Sequence, residues 1–430
     1  MKSVMLLFLV MLSSASSFAL EADFSGYLRG GTGLNLEGGK QECFNNQGIP
    51  GNFLRLGNEC AFYSELIFIF NHQKPTETDP FFFRTQVRLQ ASSKGTRQWE
   101  PESNRDFNQI EAFVTAGGIE GIPGKPWIGK RFYRDVDLHL FDWYYYADMS
   151  GVGGGIEDIP FGSGLFSVAH LIQAKEDNDP NDAIPVETSV GRPTLQALDF
   201  RFKQYSVGPG QFLNIWGVYA WAPASKTATE TYQATNGYSL AARLNGALWG
   251  GSNNFTVLYG KGAMKDLNIY ANSTLLENDD SQNRAHTWRI VEDWHRDVTD
   301  NWALMIAAAA ELSDLGTTTN NRKEWQAFGI RPLYYLSDRI QLVFETGYSR
   351  IKDESEQVAG VAVGERQLIR ATFAPQISMS KSIWGRPVMR VFISHSLWND
   401  ANKASVGGGA PTFIDKNAGT SFGYQFEAWF

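Results

Sequence analysis

Long apolar runs are what this 430-residue sequence lacks most clearly. Past residue 19 the best of them, Ala303 to Ala310, stops at Glu311, well short of the ~20 residues a membrane-spanning helix needs. Excess positive charge is missing too: 38 Lys and Arg stand against 46 Asp and Glu, a formal net charge of −8. Such a balance argues against nucleic acid as a partner, because phosphate backbones bind basic surfaces. Cysteine is nearly absent. Cys43 and Cys60 are the only two, with no neighbouring residues to complete a redox or metal centre. In an exported chain they read as one disulfide, which the chain-entropy picture values at about 3 kcal/mol. The H-E-x-x-H signature of metalloproteases does not occur.

Export is written at the N-terminus. MKSVMLLFLVMLSSASSFA has one basic residue, Lys2, an apolar run from Val4 to Leu12 and a small-residue stretch ending at Ala19. This is the layout of a secretory signal peptide, residues 1–19, followed by a single domain over 20–430 that no linker divides.

What the chain has in abundance is aromatic residues (13%), 42 glycines and alternation with a period of two. ADFSGYLRG sets Phe24, Gly26 and Leu28 against Asp23, Ser25, Tyr27 and Arg29. FFFRTQVRLQ sets Phe81, Phe83, Thr85, Val87 and Leu89 against Phe82, Arg84, Gln86, Arg88 and Gln90. SFGYQFEAWF sets Phe422, Tyr424, Phe426, Ala428 and Phe430 against Gly423, Gln425, Glu427 and Trp429. Segments of about ten residues suit tilted strands crossing a bilayer. Aromatics near strand ends, as at Phe81, Tyr334, Tyr335 and Tyr348, suit an interfacial girdle. At about 23 residues per strand and connection, the domain predicts an all-β transmembrane antiparallel barrel of ~18 strands.

In such a barrel the polar face lines the lumen, and several rings lie on it. Tyr27 accompanies Asp23 and Arg29, Tyr63 accompanies Glu65, Trp384 accompanies Arg386 and Arg390, and Trp429 accompanies Gln425 and Glu427. Each alone reads as well as a girdle ring, or a ring packed under an inward loop, as it does as part of a lumen surface. Four beside charges point to a surface of rings with polar edges. A pyranose fits that surface: its C–H face stacks on a ring, at about 1 kcal/mol by analogy with ring pairs, and its hydroxyls bond to charged groups.

The stretch from Trp127 to Gly151, WIGKRFYRDVDLHLFDWYYYADMSG, is denser still. Its strand-like part ends near Tyr133, and rings and charges then mix without alternation, as in a loop. Asp137, His139 and Asp142 read as metal ligands, or with Asp148 as a catalytic set, only weakly, since no Cys or second His supports them.

Over nearly its whole length after residue 19 the chain resembles the maltoporin family of outer-membrane sugar porins. The matches are GYLRGGTG, CF…RLGNEC before Tyr63 and Glu65, WIGKRFY…HLFDWYYYADMSG, GIRPLYY, SIWGRP and the terminal EAWF. The resemblance implies a bacterial outer-membrane location, an 18-stranded barrel, a homotrimer in lipid, and an inward-folded third external loop that narrows the pore. It implies passive, non-enzymatic passage of maltose and maltodextrins, with no cofactor and no metal. Tyr27, Tyr63, Trp384 and Trp429 become track rings, with Trp99 reaching across from a neighbouring subunit. Arg29, Arg55 and Glu65 become rungs of a polar ladder. Asp137, His139, Asp142, Tyr144 and Asp148 belong to the inward loop, with Tyr144 at its narrowest point.

Departures from the family pattern accompany the matches. A further track ring falls at Ser252, or is replaced by Phe255. One ladder arginine falls at Asp135, with Arg134 adjacent, and another at Ile110, with Arg105 the nearest cation. Ala147 is an extra residue. The alternatives are a general diffusion porin, which has no reason to line itself with rings, and a soluble carbohydrate-binding β protein, which would turn its apolar faces inward.

Overall fold

The computed structural model describes residues 21–94, 105–174, 194–226, 231–269, 280–358, 361–403, 405–406 and 411–430. The segment 1–19 and Trp99 lie outside them. One 18-stranded antiparallel sheet dominates. Its first six strands are β1 Glu21–Asn35, β2 Phe62–Gln73, β3 Phe82–Ser93, β4 Arg105–Gly117, β5 Lys125–Arg131 and β6 Gly151–Phe161. Next come β7 Gly164–Ala174, β8 Thr194–Gly208, β9 Gln211–Ala222, β10 Thr235–Leu248, β11 Gly251–Gly262 and β12 His286–Thr299. The last six are β13 Trp302–Asp314, β14 Arg322–Tyr335, β15 Ile340–Asp353, β16 Arg366–Ser378, β17 Val388–Trp398 and β18 Ala418–Trp429.

Each strand pairs with its sequence neighbours, and β1 also pairs with β18, Tyr27 opposite Trp429 and Asn35 opposite Ser421. The sheet is thereby closed, and the exposed edges that would otherwise seek partners vanish. No helix among the described residues is long and apolar enough to cross a membrane. Short connections, such as 162–163, 209–210, 249–250 and 300–301, sit at one end of the cylinder, and long ones at the other.

The period of two has a plain cause here: successive side chains point to opposite sides of the wall. On β17, Met389, Val391, Ile393 and Leu397 are exposed outward, while Val388, Arg390, Ser394 and Ser396 are buried inward. An apolar outside with a polar inside is the arrangement lipid selects. Rings gather outside at both ends. Tyr259 lies 4.6 Å from Trp288 near the long connections, and Trp302 lies 4.9 Å from Tyr334 at the short turns. Tyr335 does not join them. It points inward, is 3% exposed and donates its hydroxyl to Asp297 at 2.8 Å.

Two long connections fold into the cylinder: residues 36–61, the first loop, and residues 132–150, the constriction loop. Phe44, Phe53, Leu54 and Leu56 of the first meet Leu138, Leu140, Phe141, Tyr145 and Met149 of the second in one buried cluster. The wall supplies Trp216, Trp325 and Phe392. The loops are also tied by hydrogen bonds, Asn52 N–H to the Phe141 carbonyl at 2.8 Å and the Tyr145 hydroxyl to the Pro50 carbonyl at 2.6 Å. Close approach depends on missing side chains. At Gly51, with φ +86°, a Cβ would stand 2.2 Å from the Phe141 carbonyl oxygen, and at Gly329 one would stand 2.6 Å from Leu54. Cys43 and Cys60 form the expected disulfide, with Cα atoms 5.9 Å apart, and close the first loop on itself. Buried charges in the wall fix it further: Glu345 accepts from Leu56 N–H at 2.9 Å, and Arg370 donates to the Leu56 carbonyl at 3.1 Å.

Candidate functional site: the lumen at the constriction

The seam of the barrel sets three strands side by side. Register places Glu65, Tyr27 and Trp429 in one row across β2, β1 and β18, and Tyr63, Arg29 and Glu427 in the next. All six face the lumen, so rings and charges alternate along each strand, while across the β1–β18 seam the rings Tyr27 and Trp429 lie side by side, as do the charges Arg29 and Glu427. Tyr27 and Tyr63 have ring centroids 6.2 Å apart, and the Arg29 guanidinium lies 5.1 Å over the Tyr63 ring. Tyr27 donates to Glu427 at 3.1 Å and accepts from Arg55, while Tyr63 donates to Glu65. The ring edges are thereby anchored, and Arg29 covers one face of Tyr63.

The inward loops complete the surface. Arg55 and Glu59 come from the first loop: Arg55 lies 2.7 Å from Glu59 and 3.0 Å from Glu427, and Arg29 lies 2.8 Å from Glu59. The constriction loop adds Asp142, which pairs with Arg29 and accepts from Asn52 at 3.1 Å. His139 lies with Nδ1 3.0 Å from Arg55 and Nε2 3.4 Å from Arg386. Arg134 is flanked by two rings, its guanidinium 3.7 Å from the centroid of Phe132 and 3.8 Å from that of Tyr144. Asp148 turns back to Ser150, bonding its N–H at 3.1 Å and its hydroxyl at 2.7 Å.

Titration follows from this enclosure. The side chain of Asp137 opens to the lumen and is 36% exposed, but protein surrounds the lumen, and the lost hydration pushes its carboxyl up to about 6. Burial and then the Arg55 charge hold His139 well below the usual imidazole range, so it is neutral at pH 7. For Asp142 burial works upward, yet Arg55 and Arg29 outweigh it and keep the carboxyl below its ordinary value.

These side chains line one cavity of about 690 Å³. It brings together Tyr27, Tyr63, Trp429, Arg29, Arg55, Glu65, Arg134, Asp137, His139, Asp142, Tyr144 and Asp148. Trp384 is outside it. The sequence places Trp384 and Arg386 on a strand in phase with Arg390, but β17 begins only at Val388, and both lie in the turn 379–387. Trp384 there packs edge-on against His139 and His295, each with centroids 5.1 Å away. Phe255 does not serve as the further track ring, since it is 42% exposed on the outer wall. Ser252 is the residue paired with inward His295. Asp135 turns to Arg243 of β10 at 3.5 Å, leaving Arg134 to face the lumen. Ile110 lines the cavity, and the nearby cation is Arg88, 2.9 Å from Glu65 and 2.6 Å from Glu111, rather than the exposed Arg105.

Glu59, Glu427, Arg386, Arg88 and Phe132 escaped selection from the sequence. Parity carried a signal for two of them, Glu427 two residues before Trp429 and Arg88 on the polar face of its strand. Catalytic readings find no geometry. Gly419–Gly423 has the spelling G-x-S-x-G, but Ser421 is inside β18 with its hydroxyl on the Glu42 carbonyl at 3.3 Å, not on a strand-to-helix turn. Among the described residues no group of His, Cys, Asp and Glu is arranged to hold a metal ion.

A closed 18-stranded barrel with an apolar outside and a charged, loop-narrowed lumen defines an outer-membrane channel. The sequence profile of LamB porins matches residues 22–430, and the chain belongs to that family, which places it in the bacterial outer membrane. Solved structures with a similar outline include OccAB2 of Acinetobacter baumannii, 10% identical, TM-score 0.47, covering 97% of this chain and 100% of that one. OprD of Pseudomonas aeruginosa is 8% identical, TM-score 0.46, with 97% of each chain covered. The outer-membrane channel DcaP of Acinetobacter baumannii is 11% identical, TM-score 0.43, with 96% and 99% covered.

Proposed function

We propose that the channel is sugar-selective and passes maltose, maltodextrins or related oligosaccharides by facilitated diffusion. The close mixing of the rings Tyr27, Tyr63 and Trp429 with the charges Arg29, Glu65 and Glu427 on one lumen face carries this reading. Rings receive the C–H faces of pyranoses, and the charged rungs exchange hydrogen bonds with successive hydroxyls, so a chain advances by replacing one set of weak contacts with the next. Millimolar dissociation, about −4 kcal/mol, is the appropriate scale, because tighter stations would trap the sugar. Trp384, beyond His139, serves as the next ring toward the short turns. We further propose export by residues 1–19 and assembly as a homotrimer in lipid, with Trp99 reaching a neighbour's pore.

Single-channel current in planar bilayers, titrated with maltotriose, maltohexaose and sucrose, tests the selectivity. Block by maltodextrins at millimolar concentration is expected. Current untouched by all three sugars would reassign the protein as a general diffusion porin. Tyr144→Ala should raise ion conductance and weaken sugar block, and unchanged conductance would remove Tyr144 from the constriction.

A further inference from the structure

Five arginines line the constriction cavity: Arg29, Arg55, Arg88, Arg131 and Arg134. Four are committed to carboxylates, Arg29 and Arg55 to Glu59, Arg88 to Glu65 and Glu111, and Arg131 to Glu157. Arg134 differs. Among the described residues it has no ion-pair partner and no hydrogen-bond acceptor; what it has is a ring on each side, Phe132 at 3.7 Å and Tyr144 at 3.8 Å. Asp137, on the same loop, is near enough to feel its charge but stands outside ion-pair distance.

The geometry of a guanidinium gives this arrangement a meaning. Its two faces bind rings, and its five N–H groups all lie in the plane, at the edge. Stacking therefore occupies the faces of Arg134 while leaving the edge free. It also removes the rotational freedom that an exposed arginine would lose on binding. A rigid, partly desolvated, unpaired fork of this kind matches a carboxylate, which accepts two parallel N–H bonds. Hydroxyl groups of a neutral sugar can meet the same edge, but without the charge that strengthens the bond.

We propose that the stacked Arg134 is a carboxylate subsite, and that the pore accepts acidic saccharides, sugars bearing a uronate group, in preference to their neutral counterparts. The proposal rests on the sugar-channel reading and narrows its substrate class. The carboxylate docks edge-on to Arg134 while the sugar ring that bears it lies against the lumen, with Tyr63 and Tyr144 the neighbouring aromatic surfaces in the cavity.

The test compares block of single-channel current by cellobiose and by cellobiouronic acid, which differ by a carboxylate in place of a hydroxymethyl group. Sodium acetate at matched concentration serves as the bare anion. In the unaltered channel the acid is expected to block at a concentration about tenfold below that of cellobiose. In Arg134→Gln the ratio should fall below about two, and in Arg134→Lys, which keeps charge but not the planar fork, it should be intermediate. Equal block by the two sugars in the unaltered channel overturns the subsite but leaves the sugar channel standing. A ratio unchanged in Arg134→Gln assigns the preference elsewhere and also overturns it. Block by acetate as strong as by the acid would make the site a general anion site and remove the saccharide claim. Absence of block by either sugar overturns this proposal, and the maltodextrin titration then decides separately whether the sugar-channel reading stands.

Discussion

Asp137 and Asp142 sit five positions apart on one loop and are driven in opposite directions, because only Asp142 lies against Arg29 and Arg55. Asp137 has no such partner. Its carboxyl, pushed up to about 6 by enclosure, is ionised above that pH and neutral below it. His139 and Asp142 keep their charge states across the same window, one neutral and one negative. Asp137 should therefore lose its negative charge as pH falls from 7.5 to 5. Reversal potentials in asymmetric salt should show cation preference declining with a midpoint near 6, and Asp137→Asn should diminish the step. A flat profile over that range would contradict the assignment. At this scale the sequence was legible where a strand fixed the side-chain direction, as for Tyr27, Arg29, Tyr63 and Trp429. In loops it was legible only through the family resemblance, because no period in RFYRDVDLHLFDWYYYADMS separates Tyr144, which lines the cavity, from Tyr145, which is 3% exposed in the packed cluster.

Among the elements, the first loop and the constriction loop behave as one packed unit inside the cylinder. At Gly51 the two backbones approach too closely for a Cβ, and its positive φ adds a backbone demand to the steric one. Gly51→Val should cost about 1–3 kcal/mol from the left-handed conformation alone, with further displacement of Phe141. Separation of the loops should widen the neck, so single-channel conductance is expected to rise and its distribution to broaden; unchanged conductance would show that the loops hold their place without this contact. Removing the disulfide with Cys43→Ser and Cys60→Ser relaxes the first loop differently, through the unfolded chain, by about 3 kcal/mol. The denaturation midpoint in detergent should drop, while a midpoint equal to that of the unaltered protein would mean that Glu345 and Arg370 suffice to hold Leu56. Element-level errors in reading the sequence have separate causes. Tyr335 was placed by its position near a strand end, Phe255 by the family resemblance and Trp384 by presumed strand phase; wall parity turns Tyr335 inward and Phe255 outward, and the strand boundary puts Trp384 in a turn.

For the whole molecule, the fold was readable because the environment inverts the usual rule: apolar outside and charged inside, strand after strand. That inversion makes a sharp prediction at mid-wall. Ile393, outward on β17 and 51% exposed, meets hydrocarbon, and Ile393→Arg should destabilise the barrel by about 2–4 kcal/mol, whereas Ile393→Leu should be nearly neutral. Urea titrations of refolding into lipid vesicles measure the difference, and equal midpoints would place this face against something other than lipid. The number of strands was within reach of simple length arithmetic; the inner core of two loops was not, because its contacts join residues such as Leu54 and Gly329 that no local pattern connects.

The pairing of β1 with β18 has one more consequence. Tyr27 and Arg29 arrive with the first strand of the cylinder, Glu427 and Trp429 with the last, and they become neighbours only across the final junction. A chain halted one strand short would have the wall, the loops and most of the charges, yet Glu427 and Trp429 would be missing from its recognition surface. Ligand affinity is thus a report on complete assembly: a channel that grips its substrate has, by that fact, finished folding.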